Sequence, residues 1–262
     1  PDTRAHAEYL LGNLTQEEAD TTEDAELKED RYRAALSRYM RVTGSYPNSL
    51  HASKAQFKIA TVYERMNEPE IAAQEYVKLA YKFPDSEFLA LSMARLGTHF
   101  QRKAAAYEKQ AKELLAKIDD KDAQFDGKAM EAMYIKEYIR SAEIFSRLQE
   151  RFPDHELAGK GGLRAGQAYM RAGENRSALN AFKSVFEHEA YDGPKIRAQA
   201  MYWAGMCYEP LGEPMAAYSI YKRLTFDFPE SKWASFARSQ LSQDRLLNIE
   251  LELEEKRVEE GR

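Results

Sequence analysis

An all-α chain of repeated helical hairpins is the fold this sequence predicts, and three observations lead there. Thirteen Gly and nine Pro in 262 residues make about 8%, against roughly 12% in average proteins, which excludes a collagen-like or turn-rich chain. A proline phrase, aromatic in four of its five copies, recurs as SYPNS at Pro47, KFPDS at Pro84, RFPDH at Pro153, DGPKI at Pro194 and DFPES at Pro229, at intervals of 37, 69, 41 and 35 residues. Between the prolines a finer pattern repeats, with a small residue followed by an aromatic one turn later. In a first helix the pairs are Ala60 and Tyr63, Gly97 and Phe100, Gly166 and Tyr169, Gly205 and Tyr208. In a second helix they are Ala35 and Tyr39, Ala72 and Tyr76, Ser141 and Phe145, Ala178 and Phe182, Ala217 and Tyr221.

The two small residues stand 12 apart in Ala60/Ala72, Gly166/Ala178 and Gly205/Ala217. A glycine inside a helix costs about 1 kcal/mol relative to alanine, so Gly97, Gly166 and Gly205 need a reason, and close approach of two helices supplies one. Proline lacks the N–H that a helix interior needs; each phrase therefore closes a pair, and the Asp, Asn or Ser after it is placed to cap the next helix.

Taken in order, the N-terminal residues 1–48 read as a degenerate repeat, with the acidic stretch Thr15 to Asp30 as an irregular connection before the helix of Ala35 and Tyr39. Residues 49–230 hold the repeats, about 49–84, 86–153, 155–194 and 195–229. The second of these carries 44 residues between Gly97 and Ser141 instead of 12. It is expected to form one rod from about Ser86 to Ile118, a charged turn over 119–127 ended by Gly127, and a return helix from about Lys128 to Arg151. Residues 231–262 read as a capping helix from Ser231 to about Glu255 and a tail. Its late leucines, with Leu246, Ile249 and Leu253 on one stripe, either fold back on the last repeat or dock on a partner or second copy.

These markers, best developed in Ala60, Tyr63, Ala72, Tyr76 and Pro84 and in Gly205, Tyr208, Ala217, Tyr221 and Pro229, resemble the tetratricopeptide repeat family over roughly residues 27 to 240. The resemblance implies a right-handed α-solenoid of stacked hairpins that binds proteins. Phrases such as KFPDSEFLA and DFPESKWAS also look like those of bacterial envelope repeat proteins, the lipoprotein of the outer-membrane β-barrel assembly machine and the Tol-Pal coordinator among them. That likeness implies a periplasmic or outer-membrane-associated scaffold, with a cytoplasmic adaptor as the alternative.

Chemistry is sparse. The single Cys207 can form no internal disulfide and, with no histidine near it in sequence, reads as a buried inert thiol. His6, His51, His99, His155 and His188 form no pair at metal-ligand spacing, and HELAG at 155–159 lacks the second histidine of a zinc-protease helix. AGKGGLRAG at 158–166 lacks the order of a phosphate loop, so its glycines are assigned to helix packing. No catalytic residue, metal or cofactor is expected. No apolar run approaches the roughly 18 residues that span a bilayer, so any membrane link would be indirect, through a lipid anchor ahead of Pro1; a start without Met is the pattern of a trimmed product.

One charge pattern repeats. The residue two before the first-helix marker is basic in Lys58, Arg95 and Arg164, and so is the residue five after it in Arg65, Arg102 and Arg171. Seven residues are two helical turns, so each pair shares a face, and Lys54 and Lys160 extend it one turn earlier. The family resemblance places this face at the concave groove, where it is a candidate for holding an acidic peptide or a C-terminal carboxylate. The competing reading is that each cation pairs with neighbouring glutamates. The asparagine of the chaperone-binding carboxylate clamp is absent, its place taken by Thr61, Thr98, Gln167 and Met206. Nucleic acid is not expected, because the pI is near 5.7 and aromatics do not interleave with the cations. An enzyme-associated or nucleic-acid-associated module stays as the lesser alternative.

Overall fold

The computed structural model describes residues 2–191, 193–242 and 248–249. Among the described residues there are eleven α-helices and no strand. In order they are α1 (Asp2–Thr21), α2 (Ala25–Ser45), α3 (Ala52–Arg65), α4 (Pro69–Lys82), α5 (Leu89–Leu115), α6 (Lys121–Arg151), α7 (Ala158–Arg171), α8 (Asn175–Phe186), α9 (Gly193–Tyr208), α10 (Pro214–Asp227) and α11 (Lys232–Leu241). The chain divides into two compact units, Pro1–His99 and Phe100–Arg262, each a run of helical hairpins.

Two kinds of turn alternate along the chain, and local chemistry sets both. Between hairpins, the aromatic before each proline ends a helix: Tyr46, Phe83, Phe152 and Phe228 donate their N–H to the carbonyls of Val42, Leu79, Leu148 and Leu224 at 2.8–3.1 Å. The proline that follows disfavours helical backbone in the residue before it. Three residues past each aromatic, Ser49, Ser86, His155 and Ser231 donate back to the aromatic's own carbonyl at 3.0–3.1 Å, closing a turn with proline at its favoured second position. A side-chain cap follows at Ser231, whose Oγ accepts the Ala234 N–H at 3.1 Å; at His51 and Leu157 there is none, and the backbone turn starts the next helix unaided.

Within the hairpins α3/α4, α7/α8 and α9/α10 the reversal uses one residue in left-handed backbone. Asn67, Gly173 and Gly212 fill this position with φ of 59°, 80° and 72°. The residue after each, Glu68, Glu174 and Glu213, donates its N–H to the carbonyl of Tyr63, Tyr169 and Tyr208 at 2.9–3.0 Å. This six-residue closure satisfies carbonyls that a helix end leaves unpaired. Pro69 and Pro214 then open α4 and α10, where the missing N–H costs nothing.

Packing inside a hairpin centres on the small residue of its first helix. A Cβ added at Gly166 would stand 2.4 Å from Phe182, one at Gly205 2.3 Å from Tyr221, and one at Gly12 2.6 Å from Tyr39. Phe182, Tyr221 and Tyr39 are fully buried. The ring that covers each glycine therefore comes from the second helix of the same hairpin. Around these contacts lie two larger apolar clusters, one built on Tyr32, Tyr39, Ile59 and Val62, the other on Phe182, Val185, Met201, Tyr221 and Trp233. A third cluster joins Ala104, Tyr138, Ala142 and Ala168.

The structure differs from the sequence expectation at three places. Thr15 to Asp30 is mostly helix: α1 runs to Thr21, and the break is only Thr22–Asp24, where Asp24 caps α2 by accepting the Leu27 N–H at 2.8 Å. The acidic residues Glu17 and Glu18 are exposed while Gln16 and Ala19 are buried, so the helix keeps a buried side that sparse apolar residues concealed. In the long hairpin α6 begins at Lys121, capped by Asp120, and Gly127 lies inside it. A Cβ there would be 2.8 Å from Leu115, so Gly127 lets two rods approach and ends no turn. Pro194, expected to close a helix pair, falls in the first turn of α9. In the C-terminal segment, Leu246 and Leu253 lie outside the described residues, whereas Ile249 is buried in the cluster of Trp233 and Leu241.

Two glycine substitutions test this account of the packing. Gly166→Leu is expected to lower stability by about 2 kcal/mol or more, because Phe182 has nowhere to move. Gly44, in α2 with nothing within 4 Å of a would-be Cβ, is expected to gain about 0.5–1 kcal/mol as Gly44→Ala. Urea denaturation of both variants checks the pair; equal effects would refute the role assigned to the ring.

Candidate functional site

Two groups of the kind that often carry catalysis, Cys207 and His155, are occupied by structural work. Cys207 is fully buried, and burial pushes its thiol up to about 12, far from a reactive thiolate. The His155 ring accepts the Leu157 N–H at 3.1 Å, serving the turn before α7. In the glycine-rich start of α7, a Cβ on Gly161 would press on Leu148 and one on Gly162 on Gln149 and Val185. Those glycines admit α6 and α8. Among the described residues, no three His, Cys, Asp or Glu side chains are grouped to hold a metal ion.

The repeated cations fall into two sets, one in each unit. In the first unit Lys54 pairs with Glu87 at 3.4 Å, Arg65 with Asp20 at 3.0 Å and Arg95 with Glu64 at 3.0 Å. In the second unit Arg171 pairs with Glu108 at 3.0 Å and lies over the Tyr138 ring at 5.9 Å, while Arg164 lies over the Phe145 ring at 5.4 Å. Lys58 is half-buried and Arg102 and Lys160 are exposed; among the described residues these three make no ion pair.

These pairs follow one scheme. Arg65 of α3 meets an acid of α1, Arg95 of α5 an acid of α3, and Arg171 of α7 an acid of α5. A first helix thus reaches the first helix of the preceding hairpin. Two of the acids also take a tyrosine hydroxyl from the second helix of their own hairpin: Tyr32 donates to Asp20 at 2.6 Å and Tyr138 to Glu108 at 2.7 Å. Tyr76 is the counterpart beside Glu64; its hydroxyl is buried without a hydrogen bond, and burial, then the Glu64 charge, raises its pKa. The acid–tyrosine–arginine links were not legible from the repeat pattern, because Asp20, Glu64 and Glu108 stand at different offsets from Gly12, Ala60 and Gly97.

Their energetic weight differs. Pairs such as Lys54–Glu87, with side chains 39% and 68% exposed, contribute about 0–1 kcal/mol. Glu108 is better enclosed, its side chain 15% exposed, and it accepts from Lys112 at 2.6 Å as well as from Tyr138 and Arg171. Burial opposes its charge, but these donors together outweigh burial and hold its carboxyl below the usual range.

Comparison with known proteins bears on the hairpins. Residues 54–86 and 199–231, which fall on the hairpins α3/α4 and α9/α10, match the tetratricopeptide repeat family. Among solved structures, MamA is similar at 16% identity over 78% of this chain and 94% of its own, with a TM-score of 0.42. A thermophilic tetratricopeptide protein of Thermus thermophilus is 16% identical over 91% of this chain and 100% of its own, with a TM-score of 0.40. PilW, a type IV pilus biogenesis factor, is 18% identical over 86% and 97%, with a TM-score of 0.32. No curated protein matches the sequence significantly.

The Glu108 link makes a pH-dependent expectation. A carboxyl depressed in the folded state stabilises the protein above its unfolded value of about 4.5, and that contribution is lost as pH falls through the folded value. Glu108→Gln is therefore expected to cost about 1.5 kcal/mol at pH 7, with the gap to the parent narrowing below about pH 4.5. Denaturation curves of both proteins from neutral to acid pH check it; a gap independent of pH contradicts it.

Proposed function

We propose that this chain is a noncatalytic scaffold that holds a partner protein through an acidic segment, received on the first-helix cations of its hairpins. The observation that carries this is the repetition of cations on first helices in both units, with Lys58, Arg102 and Lys160 making no ion pair among the described residues. The remaining cations do not stand against it. Arg65 and Arg95 have side chains 53% and 49% exposed, and an ion pair worth about 0–1 kcal/mol exchanges its carboxylate for that of a ligand at small cost. Each unit offers its own set of cations on a chain of net charge −5, which concentrates acidic ligands at these faces.

The cellular setting we propose is a bacterial envelope assembly, on the likeness of KFPDSEFLA and DFPESKWAS to envelope repeat proteins; a cytoplasmic adaptor is the other setting. Among the described residues no helix is long and apolar enough to cross a membrane, so a membrane connection would run through an anchor or a partner.

Arg95→Glu combined with Arg164→Glu tests the binding face. The doubly reversed protein is expected to melt within a few degrees of the parent. It should lose at least tenfold in affinity for a fluorescent peptide of alternating Asp and Gly with a free C-terminus, read by anisotropy at moderate salt. Unchanged affinity would leave these cations as ordinary surface.

A further inference from the structure

The second unit carries a cleft of about 460 Å³ whose chemistry is opposite to that of the cations. It lies where α6 and α8 flank α7. Ser146, Gln149 and Glu150 come from α6, Tyr169 from α7, and Ser177, Asn180, Ala181 and Ser184 from α8, with His188 just beyond it. The volume is in the range of small-ligand sites and exceeds one amino-acid side chain.

Its lining is rich in oxygen acceptors and holds one carboxylate, that of Glu150, together with the imidazole of His188. Gln149 is buried, its carboxamide seated where only glycine at 162 leaves room, and its Oε1 accepts from Ser184 Oγ at 3.1 Å. Tyr169 is the α7 member of the lining; burial raises its phenol pKa, a hydrogen bond with Ser146 opposes the shift, and the charges of Glu143, Glu150 and Glu174 add to it. Of these three exposed carboxylates only Glu150 lines the cleft; Glu143 and Glu174 lie outside the lining. Among the described residues none of the three makes an ion pair, although cations are close in sequence. Arg176 is committed to Glu213 at 2.8 Å, Lys183 lies over the Tyr208 ring at 5.7 Å and Arg151 over the Phe152 ring at 5.6 Å. Arg147 is exposed, lies outside the lining and pairs with neither Glu143 nor Glu150.

A carboxylate without an ion pair, beside hydroxyl and carboxamide oxygens and one phenol ring in the same recess, favours a cation with several donors and a flat face. We propose that this cleft receives a basic side chain, arginine in preference to lysine, from a partner protein. A guanidinium places charge against Glu150, spreads its five N–H donors among the oxygens of Gln149, Asn180 and the serines, and stacks on Tyr169. Lysine offers a compact charge with fewer placed donors and no planar face. The inference rests on the reading of the chain as a protein-binding scaffold, but it uses a different surface and the opposite ligand charge.

The test is fluorescence anisotropy of the full chain with a labelled peptide of alternating Arg and Gly at about 150 mM salt, near physiological ionic strength, beside counterparts in which Lys or uncharged citrulline replaces Arg. Saturable binding is expected for the Arg peptide, several-fold weaker binding for Lys, and at least tenfold weaker binding for citrulline. Glu150→Gln and Asn180→Ala, both at exposed positions, are each expected to weaken the Arg peptide severalfold. Glu70→Gln, exposed in the first unit, serves as control and is expected to change nothing. No saturable binding, equal binding of citrulline, or equal loss in Glu70→Gln would overturn the proposal. Binding of the acidic peptide by the Glu150→Gln protein is read in parallel, so failure of the cleft is distinguished from failure of the scaffold.

Discussion

A buried aromatic ring resting on a residue that has no side chain to offer is the constraint on which the rest of this protein depends. Gly166 under Phe182 and Gly205 under Tyr221 bring the two helices of a hairpin so close that even a methyl group would overlap the ring. A helical glycine costs about 1 kcal/mol, and burying a ring of this size returns roughly 1.5–3 kcal/mol. Once that contact is made, the left-handed residue between the helices and the proline turn after them set the bounds of α3/α4 and α9/α10.

The same arrangement decides what the charged side chains can do. With the apolar side of each first helix committed to its partner helix, its polar side carries cations, and consecutive first helices lie near enough for an arginine of one to reach an acid of the one before. Arg65–Asp20, Arg95–Glu64 and Arg171–Glu108 thus link successive hairpins. In the reading proposed above they are also positions a ligand carboxylate can take over. The enclosed Glu108 link is the most structural of the three; the exposed Arg65 and Arg95 links are the more exchangeable.

How much of this was legible in the sequence depended on whether a feature repeats. Small and aromatic residues recur at fixed offsets where hairpins solve the same packing problem, so the hairpins α3/α4, α7/α8 and α9/α10 could be placed from spacing. Gly12 escaped, because α1 is longer and puts it 23 residues before Ala35 instead of 12, although it lies under Tyr39 as Gly205 lies under Tyr221. Gly127 was assigned to a turn because charge surrounds it, when the reason for a glycine there is Leu115 on the facing rod. The basic residues of the candidate site were visible, but their acidic partners were not, since those lie on another helix at no constant offset. The cleft around Tyr169 left no sequence signal: its serines and carboxamides come from separate helices and look like ordinary solvated positions in each.

The most direct measurement of the central claim is a double-mutant cycle between Gly205 and Tyr221, read by urea denaturation. If the ring is what makes glycine necessary, Gly205→Ala destabilises the parent strongly but costs little once Tyr221→Leu has removed the ring. The coupling should then exceed about 1 kcal/mol, within the range for residues in contact. Additive effects of the two substitutions would contradict the account, because the glycine would then be answering to something other than the ring above it.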